Sequence, residues 1–145
     1  MMKALDLAKY VIQLCITEGH PISNLQLQKI LYYLQGYYMA LFKRPLFQED
    51  ICAWKLGPVV PTVYRCYNYF GAEPIIIDSE QVELTGLGSI QIKLINAVIR
   101  LKSKKTAWEL VNDTHNETPW CNTEQGEIIN NQDIQKYFES QVGLE

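Results

Sequence analysis

His115 lies six residues before Cys121, and a thiol within reach of an imidazole is the minimum equipment of a nucleophile. Such a dyad is defined by geometry, which spacing does not supply, and a structural cysteine accounts for Cys121 just as well. Asp113, Glu117 and Glu124 lie close enough in sequence to offer a carboxylate pair. Acids near a helix end, however, also serve as caps or solvated groups. There is no glycine-rich phosphate loop after a strand and no Gly-x-Ser-x-Gly elbow. Metal chemistry has little to work with. The histidines are His20 and His115, and the cysteines Cys15, Cys52, Cys66 and Cys121 form no Cys-x-x-Cys pair, whereas structural zinc usually shows ligands paired close in sequence. The residues therefore nominate no catalytic group, no metal and no cofactor.

The aromatic side chains point elsewhere. Tyr32, Tyr33, Tyr37 and Tyr38 crowd one segment, and Tyr64, Tyr67, Tyr69 and Phe70 crowd another. A helix buries only part of such a set against its neighbours. Tyrosine suits interfaces, because its ring packs while its hydroxyl stays wet. The expectation is that some of these rings, Tyr33, Tyr37 and Tyr69 among them, lie on an outer face and touch another protein. Core packing is the competing reading for any one of them.

The elements that must position these groups follow from periodicity. Ala4, Leu7, Ala8, Val11, Ile12, Leu14 and Cys15 form the apolar stripe of a helix over 4–17, stopped by Gly19 and Pro21. Leu27, Ile30, Leu31, Leu34, Tyr38, Leu41 and Phe42 predict a long helix over 24–42, capped by Ser23 or Asn24. Gly36 inside it costs ~1 kcal/mol relative to alanine, which close approach of another backbone would explain. Ile51 to Leu56 reads as a short strand or extended loop. Gly57-Pro58 turns the chain, and Pro61 opens a further helix that Gly71 ends. Ile75–Ile77 and Val82–Leu84 read either as a small hairpin or as an irregular connection. Residues 89–103 predict a helix apolar on two sides, with Ile90, Leu94, Ala97, Val98 and Leu101 on one and Ile92, Ile95 and Ile99 on the other, which suggests a central position. Thr106 and Glu109 form a capping box, and a last helix covers about 132–140. The sum is a mainly α fold: residues 1–145 as one compact bundle of five or six helices, with at most a small β hairpin or short extended segments.

Composition sets the bounds. A chain of 145 residues buries roughly 68–70% of its unfolded surface and needs no covalent staple. Its net charge of −3 argues against a protein that lives on nucleic-acid phosphates. The one basic stretch, Arg100 with Lys102, Lys104 and Lys105, reads more simply as a solvated helix end than as a DNA patch. No apolar run approaches a membrane span, and Met1-Met2-Lys3-Ala4-Leu5-Asp6 lacks the apolar core of a signal peptide. Reduced thiols in a cytoplasmic protein are the expectation.

Four blocks, in order, carry a family resemblance. Ile22-Ser23-Asn24-Leu25-Gln26-Leu27-Gln28-Lys29-Ile30-Leu31-Tyr32-Tyr33, followed by Pro45-Leu46-Phe47, looks like the opening of the Panacea domain. Ala53-Trp54-Lys55-Leu56-Gly57-Pro58-Val59-Val60-Pro61 resembles its central block, Thr114-His115-Asn116-Glu117-Thr118-Pro119-Trp120 its later one, and Ile134-Gln135-Lys136-Tyr137-Phe138 its closing helix. The chain thus resembles the SocA-like, phage-associated antitoxins of type II toxin–antitoxin pairs. The resemblance implies neutralisation of a cognate protein toxin by direct binding or, alternatively, delivery of that toxin to a host protease. It leaves the toxin and the oligomeric state unnamed. It adds Trp54, Pro58, Val59, His115, Glu117 and Trp120 to the partner-binding candidates. Each also has a scaffold reading: Trp54 and Trp120 as core aromatics, Gly57-Pro58 as a turn, His115 bonded to a buried carbonyl, and the Trp120 indole donating to Glu117. A Cys/His-dependent enzyme and a DNA-binding regulator remain weaker alternatives.

Overall fold

A computed structural model of the chain describes residues 1–77 and 82–143. In chain order its elements are α1 (Ala4–Thr17), α2 (Asn24–Phe42), β1 (Cys52–Trp54), β2 (Gly57–Val59), α3 (Pro61–Tyr67), α4 (Ser89–Ser103), α5 (Ala107–His115), α6 (Thr118–Cys121) and α7 (Asn131–Gln141). A single 3-10 turn, Asn68–Phe70, follows α3. The mainly α architecture with one small hairpin is the one expected. The added helix is α6, whose four residues are too few to show a period.

The helix boundaries have local causes. Ser23 and Gln26 close a capping box on α2, as Thr106 and Glu109 do on α5. The Asn130 side chain caps α7 by accepting from Gln132 N. Pro61 takes the first turn of α3, where its missing N–H costs nothing. Gly19, at φ +77°, ends α1.

The central helix is α2, not α4. Almost every residue from Leu27 to Ala40 is buried, and α2 packs on α1, α3, α4, α5, α7 and β2. By contrast, α4 buries only one face, formed by Ile95, Val98, Ile99 and Lys102. Ile90 and Leu101 are 69% and 59% exposed. The two apolar sides read from its sequence are therefore one inward face and one outward stripe. Helices α1 to α5 and α7 each contribute to one hydrophobic cluster.

Ile75–Ile77 and Val82–Leu84 form no strand. Their backbone groups are taken by neighbours instead: Ile75 N donates to Ile22 O (2.7 Å) and Val82 N to Gln13 Oε1 (2.8 Å). Of the two readings, the irregular connection holds for these segments, while residues 78–81 between them lie outside the described residues.

Gly36 is explained by a ring rather than by a backbone. A Cβ built there would stand 2.2 Å from two carbons of the Phe138 ring. That ring closes an aromatic cluster, with centroids 5.4 Å from Tyr32, 5.9 Å from Tyr33 and 4.8 Å from Tyr37. The glycine is what lets α7 lie against α2. Gly36→Ala gains ~1 kcal/mol of helix propensity, yet the overpacking costs about 1–3 kcal/mol, so net destabilisation is expected in urea unfolding. The penalty should shrink in a Phe138→Leu background, and an equal penalty there would show that the ring is not the cause.

Candidate functional site

The site begins with polar side chains buried along α2. The Gln35 amide accepts from Leu46 N (2.8 Å) and Phe47 N (3.2 Å) and donates to Phe47 O (2.8 Å). Gln28 accepts from Val60 N (2.9 Å) and donates to Asn24 Oδ1 (2.9 Å), while Asn24 donates to Tyr64 O (3.1 Å). Lys29, with no exposed surface, donates to Pro58 O (3.0 Å). All four reach backbone of the segment from Leu46 to Tyr64. Unmet, each such buried group would cost about 1–3 kcal/mol.

That segment is a hairpin seated on α2. Cys52 faces Val59, Ala53 faces Pro58 and Trp54 faces Gly57, which leaves Lys55-Leu56 as the two-residue loop. At the Ala53–Pro58 pair, Ala53 exchanges hydrogen bonds with the opposite neighbour: its N–H donates to Glu127 O (2.9 Å) and its carbonyl accepts from Gly126 N (2.6 Å). The facing Pro58 thus needs no N–H toward β1, and its carbonyl points away, to Lys29. Gly57 has φ +114°, and a Cβ there would stand 2.6 Å from Lys29 Cε and 2.8 Å from Thr114 Oγ1. Glycine is required on both counts.

The later block folds onto the same seat. The Trp120 indole N–H donates to Trp54 O (2.8 Å), not to Glu117. Glu117 instead accepts from Tyr32 Oη (3.0 Å) and Tyr33 Oη (2.7 Å). Burial pushes the Glu117 carboxyl above the usual range, against the pull of those two hydroxyls and of Lys102. Lys102 Nζ lies 3.9 Å over the Tyr33 ring, a cation–π contact. Around it Lys105 pairs with Asp113 (2.7 Å) and Arg100 with Glu18 (2.8 Å). Much of the basic cluster is thus engaged within the chain.

His115 and Cys121 meet, but not as a dyad. The Cys121 thiol donates to the His115 backbone carbonyl (2.9 Å). The imidazole stacks on Trp120, with centroids 4.0 Å apart and planes at 15°. Its Nε2 is buried without a hydrogen-bond partner, so the expected bond to a buried carbonyl is not made by that nitrogen. Among the described residues, no group of three or more His, Cys, Asp or Glu side chains is placed to hold a metal.

The surface feature these contacts build is an apolar groove of about 640 Å³. Trp54, Leu56 and Val59 of the hairpin line it together with Tyr64 of α3 and Trp108 of α5. Trp108 is 67% exposed, and the Trp54 and Tyr64 rings meet edge to face at 5.0 Å.

The nominated residues divide accordingly. Trp54 lines the groove and Val59 lines it while itself buried; Pro58 is buried over Lys29. Tyr33 is sealed inside with its hydroxyl on Glu117, and Tyr32, Tyr38 and Tyr67 are likewise buried, so the outer part of the tyrosine set shrinks to half-buried Tyr37 and Tyr64 and exposed Tyr69. The physical reason is the all-round burial of α2. His115, Glu117 and Trp120, each half-buried, brace the seat. Leu56 and Tyr64 stood in the central block and the tyrosine set without being singled out, and Trp108 was missed. Trp108 had a signal: it falls outside the buried stripe of Leu110, Val111 and Thr114 on α5, and a tryptophan left off the buried face of a short helix is a surface anchor by default.

Comparison with known proteins adds the lineage. The family model described as Antitoxin SocA-like, Panacea domain matches residues 27–121, from α2 through α6. Antitoxin SocA of Caulobacter vibrioides (strain NA1000 / CB15N) is 50% identical over 56 residues, which are 39% of this chain and 30% of that protein. The match therefore spans less than a third of that curated relative. No solved structure matches the chain.

The buried amine gives a measurable pH signature. Burial pulls Lys29 down to about 7 from 10.5. The unfolded chain therefore holds a proton that the folded one lacks between those values, and stability rises with pH across that window. Lys29→Met removes this term. In chemical denaturation, the stability of the wild type relative to Lys29→Met should climb from pH 7 to pH 9; a flat difference would place the ammonium in a solvated setting.

Proposed function

We propose that this chain, which belongs to the Antitoxin SocA-like, Panacea-domain family, is the antitoxin of a toxin–antitoxin pair and neutralises its toxin by direct binding through the groove between Trp54 and Trp108. The observation that carries the reading is Trp108, an indole 67% exposed in the apolar groove that Trp54 also lines. Tryptophans and tyrosines are the side chains that dominate binding energy when a partner covers them. Leu56, Val59 and Tyr64 extend the same apolar surface, and all five residues lie inside the segment that defines the family.

The mechanism asks little chemistry of the chain. A partner laid in the groove loses the surface it needs for its own activity, and no bond is made or broken by the antitoxin. The Caulobacter relative carries the name of an antitoxin, which is consistent with this role. The cysteine contributes nothing to it, because its thiol is engaged with a backbone carbonyl rather than with an imidazole.

The test is co-expression with the product of the neighbouring gene. Trp108→Ala should leave folding stability within about 0.5 kcal/mol, since the ring is largely in solvent, and should weaken the toxin complex by at least about 2 kcal/mol, roughly thirtyfold. Cells carrying Trp108→Ala should lose protection, while Cys121→Ser should protect fully with the toxin level unchanged. Full protection by Trp108→Ala, or loss of protection in Cys121→Ser, would refute the assignment.

A further inference from the structure

The outward stripe of α4 has no role in the groove just described. Ile90, Leu94, Ala97 and Leu101 recur at steps of four, three and four and so lie along one line of the helix. Ile90 is 69% and Leu101 59% exposed, Ala97 is exposed and Leu94 half-buried. The inward face is filled separately by Ile95, Val98, Ile99 and Lys102. From residue 90 to residue 101 the stripe runs about 17 Å at 1.5 Å per residue, the length of three helical turns.

Its charge is one-sided. Lys93, Arg100 and Lys104 form a row beside the stripe, and residues 89–105 contain no aspartate or glutamate. At the C-terminal cap of α1, Glu18 pairs with Arg100 and also draws on Lys104. Lys105 is taken by Asp113 and Lys102 by the Tyr33 ring. Among the described residues, one carboxylate, Glu18, stands against this row of three cations, which leaves that edge net positive in a chain whose overall charge is −3. We infer that the outer face of α4 is a second docking surface, and that its occupant is an amphipathic helix of another protein with acidic residues beside its apolar stripe. A second copy of this chain fits badly. Antiparallel pairing would set Lys93 against its mate's Arg100, and parallel pairing would gather both basic C-terminal ends. Like charges in contact oppose association, whereas a row of acids would steer and register the helix.

The inference does not depend on what fills the groove between Trp54 and Trp108, and its test uses different probes. A fluorescent helical peptide of about 18 residues, with leucines at alternating steps of three and four flanked by glutamates, is titrated with the full-length chain beside a lysine-flanked counterpart. The acidic peptide should bind at least about tenfold tighter in low salt, with the preference shrinking as salt is added. Leu101→Glu and Ile90→Glu should each weaken binding at least about tenfold, while Trp108→Ala leaves it unchanged. Equal binding of the two peptides, no binding of either up to about 1 mM, or a loss in Trp108→Ala would overturn the proposal. So would sedimentation showing a homodimer that Leu101→Glu dissolves.

Discussion

A helix buried on every side can carry polar side chains only where some other backbone completes their hydrogen bonds, and that constraint organises this protein. On α2, Asn24, Gln28, Lys29 and Gln35 are all buried. None finds solvent, and each finds a carbonyl or N–H of the chain between Leu46 and Tyr64. The bonds run both ways in their effect. They make a polar helix tolerable in the core, and they hold a loop-rich segment with only a two-strand hairpin in one place. Apolar burial alone would bring α2 to the centre, but it would not fix where the hairpin sits.

The later block depends on the same seat. Thr114 Oγ1 closes over Gly57, Trp120 ties α6 to β1 through the Trp54 carbonyl, and Glu117 collects the hydroxyls of Tyr32 and Tyr33. Blocks separated by more than fifty residues of sequence are thereby joined at the surface of one helix. The residues that look most like a recognition motif in sequence are mostly this joinery. Glu117 is a case in point. An acid with two tyrosine hydroxyls, a lysine nearby and a raised pKa resembles a reactive group, yet every one of those contacts is explained by packing α4 and α5 against α2.

Helices with an ordinary apolar stripe were legible in the sequence nearly to the residue, because period and caps agree: α1, α2, α4 and α7 are where spacing puts them. What was illegible is long-range. Gln28, Lys29 and Gln35 fall outside the apolar stripe that spacing marks on α2, and only the hairpin's backbone, distant in sequence, makes them interior. The all-round burial of α2 also draws in tyrosines expected outside, whereas α4 looked central because of its own two apolar sides. Gly36 was correctly flagged as a close approach, but a glycine does not say whether a backbone or a ring is coming. The groove was half visible. Trp54 was nominated from its block, while Trp108 stands on a helix more than fifty residues away and is joined to it only by the fold.

The elements that carry Trp54 and Trp108 are held by contacts within the chain. Trp54 is held through its carbonyl by Trp120 and through its ring by Tyr64. Trp108 stands on the first turn of α5, and the start of that helix is set by the Thr106–Glu109 box. Such a surface loses little further backbone entropy on binding, so more of the energy of covering the indoles appears as affinity. This also separates two kinds of residue. Lys29, Gly57 and Glu117 act through the shape of the seat, and changing them disturbs folding and binding together. Trp108 and Leu56 are exposed on that shape, and under the proposed function they are where binding can change while the fold stays put. On the proposed reading, the interior of the family segment specifies a platform, and its exposed apolar side chains decide what the platform holds.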